Sequence, residues 1–115
     1  MKFDVTEIAA RPGERIRIRL RSEGKIPKIV MAHNVVVLKP GTNVDAFNAA
    51  ASQARATGFI PPLKKTEVVA ATTLAGNGET VEVIFIVPRA RGKYPYLCSF
   101  PGHFGAGMKG TLLVK

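Results

Sequence analysis

The chain has 115 residues, 46% of them hydrophobic, enough for one compact domain with a core that needs no staples. Seventeen Lys and Arg against eight Asp and Glu give a formal charge of +9, which favours partners with acidic surfaces. A single cysteine excludes an intramolecular disulfide framework, no apolar run approaches the ~18 residues of a membrane span, and the scattered bases match no nucleic-acid-binding motif.

The first residues, Met1-Lys2-Phe3-Asp4, lack the charged and apolar regions of a signal peptide. Phe3 to Ala9 reads as a strand, and Arg11-Pro12-Gly13 as the turn that follows. From Glu14 to Arg21 the alternation is strict: Ile16, Ile18 and Leu20 face one way, Arg15, Arg17, Arg19 and Arg21 the other. That is a half-buried strand with a solvated outer face. Ile26-Pro27 marks a break before a strand over His33–Leu38, which Pro40-Gly41 closes. The alanine-rich stretch from Asn43 to Ala56 places Val44, Phe47, Ala50, Ala51 and Ala54 at helical spacing, with Thr42 or Asn43 as cap. Further strands are predicted over Val68–Leu74, Glu79–Val87, Tyr94–Cys98 and Gly110–Val114. Short strands with one helix predict an all-β sandwich of about seven to eight strands. It forms one domain, 1–115, with a helical insertion at about 43–57 and a loop at 98–108.

That last loop, Cys98-Ser99-Phe100-Pro101-Gly102-His103-Phe104-Gly105-Ala106-Gly107-Met108, brings thiol, imidazole and thioether together with four residues between each. The only other histidine is His33, in Met31-Ala32-His33-Asn34. Each residue alone has a plainer use: a buried small hydrophobe, a hydrogen-bonded core histidine, a packing methionine. Together they are the donor set of a mononuclear blue-copper centre, in which thiolate and thioether suit Cu(I) and imidazole suits both oxidation states. Zinc accepts Cys and His, but methionine is a poor partner for it. Three donors come from one loop, and His33 reaches across from a neighbouring strand.

These two motifs resemble the cupredoxins of the azurin and auracyanin type. Met31-Ala32-His33-Asn34 is similar to the azurin Met-Gly-His-Asn, and Cys98-Ser99-Phe100-Pro101-Gly102-His103 to Cys-Thr-Phe-Pro-Gly-His; the His103-to-Met108 spacing resembles plastocyanin instead. The resemblance implies a Greek-key sandwich and one copper per chain. His33, Cys98 and His103 would be strong ligands, Met108 a weak axial one, and the Ala32 carbonyl a distant contact. It implies that Asn34 bridges the ligand loop and, with the Ser99 amide, tunes the Cys98 sulfur. His103, with its outer edge at the surface, would be the electron exit, within a docking patch of Met31, Phe100, Pro101 and Phe104. The implied function is one-electron transfer, not enzymatic catalysis. The implied carrier is a periplasmic or otherwise extracytoplasmic monomer that meets acidic redox proteins, such as a cytochrome or an oxidoreductase, transiently. The alternatives are a copper domain of a larger oxidoreductase and a copper-delivery module.

Overall fold

The computed structural model describes residues 2–115 and contains seven strands and one α-helix among them. The strands are β1 (Glu7–Ala10), β2 (Arg15–Arg21), β3 (Val36–Leu38), β4 (Val68–Ala71), β5 (Thr80–Ile86), β6 (Gly92–Leu97) and β7 (Lys109–Val114). A five-stranded sheet in the order β1-β7-β6-β3-β4 faces a two-stranded sheet of β2 and β5. β1 runs parallel to β7, and the other pairs are antiparallel. The all-β sandwich expected from the alternation is therefore the observed architecture.

Alternation explains the pairing of β2 with β5. Ile16, Ile18 and Leu20 meet Phe85, Val83 and Val81 across the ladder and turn inward onto Val35, Val37, Tyr94, Tyr96 and Leu112. The four arginines of β2 point outward and are exposed. A second cluster lies between the large sheet and helix α1 (Val44–Ala51): Phe47 and Ala51 pack on Val36, Leu38 and Leu97. Asn43 caps the helix, its Oδ1 accepting the Ala46 amide at 3.0 Å, a bond typically worth about 1 kcal/mol.

Four elements differ clearly in length from expectation, among them β4, predicted to reach Leu74, which stops at Ala71 before Thr72 turns its hydroxyl to the Val35 amide. Strand β1 begins only at Glu7, because Phe3 leaves the sheet edge to stack on Tyr96 at 5.5 Å between ring centroids. The helix ends at Ala51 and gives way to a short 3-10 turn, Arg55–Thr57. Gly58 and Phe59 then both take positive φ, +65° and +63°, which reverses the chain and drives Phe59 into the interior. Such a conformation is uncommon for a bulky residue. Strand β3 starts at Val36 rather than His33, for a reason that lies in the site described below.

The sandwich has two ends of different character. Residues 98–108 join β6 to β7 at one end, where β2 and β5 also finish and start. Directly behind that loop, Gly110 lies against the Tyr96 ring, and a methyl group at 110 would run into it. Tyr96 is held in place by its hydroxyl, which donates to the Val5 carbonyl at 2.6 Å. We expect Gly110→Ala to destabilise the protein by about 1–3 kcal/mol, as overpacking does. Gly24→Ala, which meets nothing within 4 Å, should change stability by less than about 0.5 kcal/mol. Urea unfolding of the two variants checks this, and equal midpoints would refute it.

Candidate metal centre

Cys98 follows the last residue of β6, and its amide donates to the Met108 carbonyl at 3.1 Å, closing the neck of the loop. Inside it, Met108 and Ala106 both donate to the His103 carbonyl, at 3.1 and 3.2 Å. Gly102 and Gly107 take φ of +85° and +102° there, turns that a side chain would strain. The loop is therefore a set of short turns wrapped around its own histidine.

His33 arrives from the other side. It forms an isolated bridge to Ala75, donating to it at 3.0 Å and accepting from it at 2.7 Å. The next two amides leave the ladder. Asn34 N–H donates to Cys98 Sγ at 3.5 Å, and Val35 N–H to Thr72 Oγ1 at 3.0 Å. Diverting these donors is what shortens β3 from its expected start.

The Asn34 side chain clamps the two segments together. Its Nδ2 donates to Ser99 Oγ at 2.9 Å, and its Oδ1 accepts the Ser99 amide at 2.8 Å. Ser99 Oγ in turn donates to the Phe59 carbonyl at 2.6 Å. The expected bridge from Asn34 is thus present, but the Ser99 amide goes to Asn34 and not to the sulfur. The amide that does reach the sulfur is that of Asn34. Sequence reasoning missed Phe59, for which the Gly58-Phe59 pair after the alanine-rich stretch was the available signal.

The outcome is a triad. The donor atoms of His33, Cys98 and His103 lie within 4.8 Å of one another. His33 Nδ1 is 3.1 Å from His103 Nδ1, which is 3.4 Å from Cys98 Sγ. Separations of this order suit donors sharing one metal ion at ~2.0–2.3 Å. Met108 is buried with Cys98, Ala32, Phe100 and Phe59 in an apolar cluster beneath the triad. Burial raises the Cys98 thiol above its ordinary value, against a downward pull from the Asn34 and Phe100 amides. Burial also lowers both imidazoles; His103 is brought to about 4, with the neighbouring His33 adding to the effect. Both rings are therefore neutral at pH 7 and keep a lone pair for ligation. Thiol, two neutral imidazoles and a thioether form a soft donor set that fits copper.

Two expectations about the surface are corrected. His103 is 3% exposed, not open at its outer edge: its ring lies 4.8 Å from that of Phe100 and 4.7 Å from that of His33. Phe100 is itself 6% exposed, packed edge-on against Phe59 at 5.0 Å, and so belongs to the interior and not to a docking patch. Met31, Pro101 and Phe104 are half-buried, Phe104 under the Lys109 ammonium at 5.4 Å. The more open imidazole is His33. A cleft of about 560 Å³ reaches it and Met108, bordered by Phe3, Arg19, Arg21 and Glu23.

A β-sandwich closing over a His-Cys-His triad, its cysteine and one histidine buried with Met108, defines a blue-copper protein. The whole chain, residues 1–115, matches the family described as "Copper binding proteins, plastocyanin/azurin family", and it belongs to that family. It is 34% identical to auracyanin-A of Chloroflexus aurantiacus over 117 residues, covering 100% of this chain and 68% of that one. To azurin-1 of Alcaligenes xylosoxydans xylosoxydans it is 38% identical over 117 residues, covering 97% and 88%. Its fold is similar to that of dithionite-reduced auracyanin from Roseiflexus castenholzii, with a TM-score of 0.86 at 30% identity over 99% of this chain and 87% of that one. The cofactor is copper, one site per chain.

Two outcomes are expected of the supporting bonds. Asn34→Leu strands the buried Ser99 amide and should cost the metal-free protein about 1–3 kcal/mol in chemical unfolding; an unchanged midpoint would remove the clamp from the account. Glu79 braces the turn behind Ala75: its carboxylate accepts the Gly76 amide at 2.6 Å and meets Lys28 at 3.0 Å. These contacts, the amide foremost, hold its pKa below the usual carboxylate range. The bracing is therefore complete above the ordinary carboxylate pKa and is lost as pH falls through the lowered one. Hydrogen-exchange protection of the Gly76 amide should drop over that acid range, and Glu79→Gln should abolish the step.

Proposed function

We propose that this protein is a one-electron carrier that exchanges electrons with larger redox proteins. The observation carrying this reading is the convergence of His33, Cys98 and His103 within 4.8 Å, above the buried Met108. His33, Cys98 and His103 are the strong ligands in this reading, with Met108 and the Ala32 carbonyl as weaker contacts. When bound, copper supplies one-electron chemistry between Cu(I) and Cu(II).

The chain's own residues contribute rigidity, dryness and a fixed field. The Asn34–Ser99–Phe59 bonds join three segments of the chain around the donors. Donors held this way rearrange little when the charge at the site changes, which keeps the barrier to electron transfer low. The Asn34 amide points its N–H dipole at the Cys98 sulfur and favours its thiolate form. Ala32, Phe59, Phe100 and Met108 exclude water beneath it.

Electrons would pass at this end of the sandwich, where His103 lies just under the surface and His33 opens to a cleft. A net charge of +9 would bring acidic redox proteins, such as a cytochrome or an oxidoreductase, together with the carrier quickly, without requiring a long-lived complex. The chain's two histidines both belong to this triad. They leave no imidazole for the second copper that an oxidase or reductase of this chemistry needs, which favours a carrier over an enzyme. An extracytoplasmic setting, such as the periplasm, and a monomeric state complete the proposal.

The Cu(II)-loaded protein should be intensely blue, and Cys98→Ser should be colourless while still folded. Repeated chemical reduction and reoxidation should leave the copper in place. A colourless Cu(II) complex of the intact chain would overturn the blue-copper assignment. Rapid loss of Cu(I) to an acceptor chelator on each cycle would favour delivery over electron transfer.

A further inference from the structure

The end of the sandwich opposite the metal centre collects an unusual density of positive charge. Strands β2, β5, β6 and β7 all run between the two ends, so their far termini, Arg15, Ile86, Gly92 and Val114, come together away from the triad. The connections there are tied tightly. Gly13 donates to the Val87 carbonyl at 2.9 Å, Val87 to the Glu14 carbonyl at 2.7 Å, and Lys115 to the Ala10 carbonyl at 3.0 Å. This brings Arg11, Arg15, Arg89, Arg91, Lys93 and Lys115 to one end, all of them exposed. Among the described residues of these three segments the only carboxylate side chain is Glu14, and it is occupied in accepting the Arg11 amide at 2.9 Å.

Beside this basic end runs an aliphatic ridge. On the outer face of β5, Ile84 and Ile86 are 47% and 60% exposed and stand opposite Arg17 and Arg15 in the ladder. Large aliphatic side chains between guanidinium groups leave water poorly satisfied on a free surface. They suit a boundary where apolar and anionic layers meet within a few ångströms of each other.

We propose that this end docks on an anionic lipid surface, with Ile84 and Ile86 entering the headgroup region, Arg15, Arg89 and Arg91 on lipid phosphates, and the metal end directed away. An acidic protein is the weaker fit for two reasons. The face offers no aromatic anchor, and its hollow of about 420 Å³, between Ala9, Ala10, Arg11, Glu14 and Lys115, holds no large apolar side chain around which a protein interface could concentrate its binding energy. It also lies a strand length, ~20 Å for six residues or so, from the triad, too remote for a redox partner to exchange electrons well. A layer of anionic headgroups demands only cation density and some insertable apolar surface. The arrangement leaves His33 and the 98–108 loop free for a partner, and it holds whatever the metal does.

The test is flotation of the full chain with phosphatidylcholine vesicles prepared with and without phosphatidylglycerol. Binding should require phosphatidylglycerol and weaken as salt rises. The double variant Arg89→Glu, Arg91→Glu should lower partitioning by about tenfold or more. Lys2→Glu with Lys25→Glu makes the same change in net charge at the metal end, where both residues line clefts beside His33, and should lower it far less. Ile84→Ser with Ile86→Ser, at unaltered charge, should weaken binding and make what remains more salt-sensitive. Circular dichroism of each variant guards against misfolding. The proposal fails if anionic vesicles do not retain the protein, or if both charge-reversal pairs act equally. It fails also if the isoleucine pair has no effect, or if an acidic polypeptide, and not the vesicles, is held through Arg89 and Arg91.

Discussion

The paired hydrogen bonds between the Asn34 carboxamide and Ser99 hold the centre together, because they join the two chain segments that supply its donors. His33 precedes one partner and Cys98 precedes the other, so fixing Asn34 against Ser99 fixes imidazole against thiol. Ser99 then donates its own hydroxyl to the Phe59 carbonyl, which draws in the segment after the helix. Asn34 and Ser99 are both fully buried. With water excluded, each broken bond would leave a polar group with no replacement partner, so the three segments are constrained to move together.

Backbone regularity gives way around this clamp. The Asn34 amide serves a sulfur and the Val35 amide a threonine hydroxyl, and the β3–β4 register shifts between Val37 and Leu38. Phe59 occupies the left-handed region, and its ring braces Phe100, which in turn stacks on His103. Departures from ideal geometry persist only where surrounding contacts over-determine them. Here those contacts are the two sheets: β2–β5 on one side and β3–β6–β7 on the other are ordinary ladders. Regular strands set the frame, and the irregular segments between them aim the donors.

This division explains which features could be read in advance. Period-2 alternation made β2 and β5 plain, since one face of each is wet and the other buried. The donor residues were legible because Cys, His and Met are few in this chain and their spacing is distinctive. The start of β3 was not: His33 to Val35 lead straight into an apolar run as strand residues would, and composition does not record that two of their amides turn to side-chain acceptors. Nor does sequence reveal the positive φ at Phe59 or the packing of His33 against His103. Those depend on contacts across 40 to 70 residues of chain, such as Phe59 with Ser99 or His33 with His103.

The protonation states set by burial explain how such a donor cluster can be assembled before any metal arrives. An ionised thiol and charged imidazoles would each be expensive in an apolar pocket. Burial instead holds the Cys98 thiol neutral and both imidazoles unprotonated near pH 7. Three uncharged donors can therefore be packed 3.1 to 3.4 Å apart without repulsion between like charges. The thiol proton is the one that a cation must displace. The Asn34 amide is already aimed at the sulfur that will then carry negative charge. Folding thus builds a neutral pocket whose dipoles are oriented for its charged state, and ligand protonation, not rearrangement, separates the two.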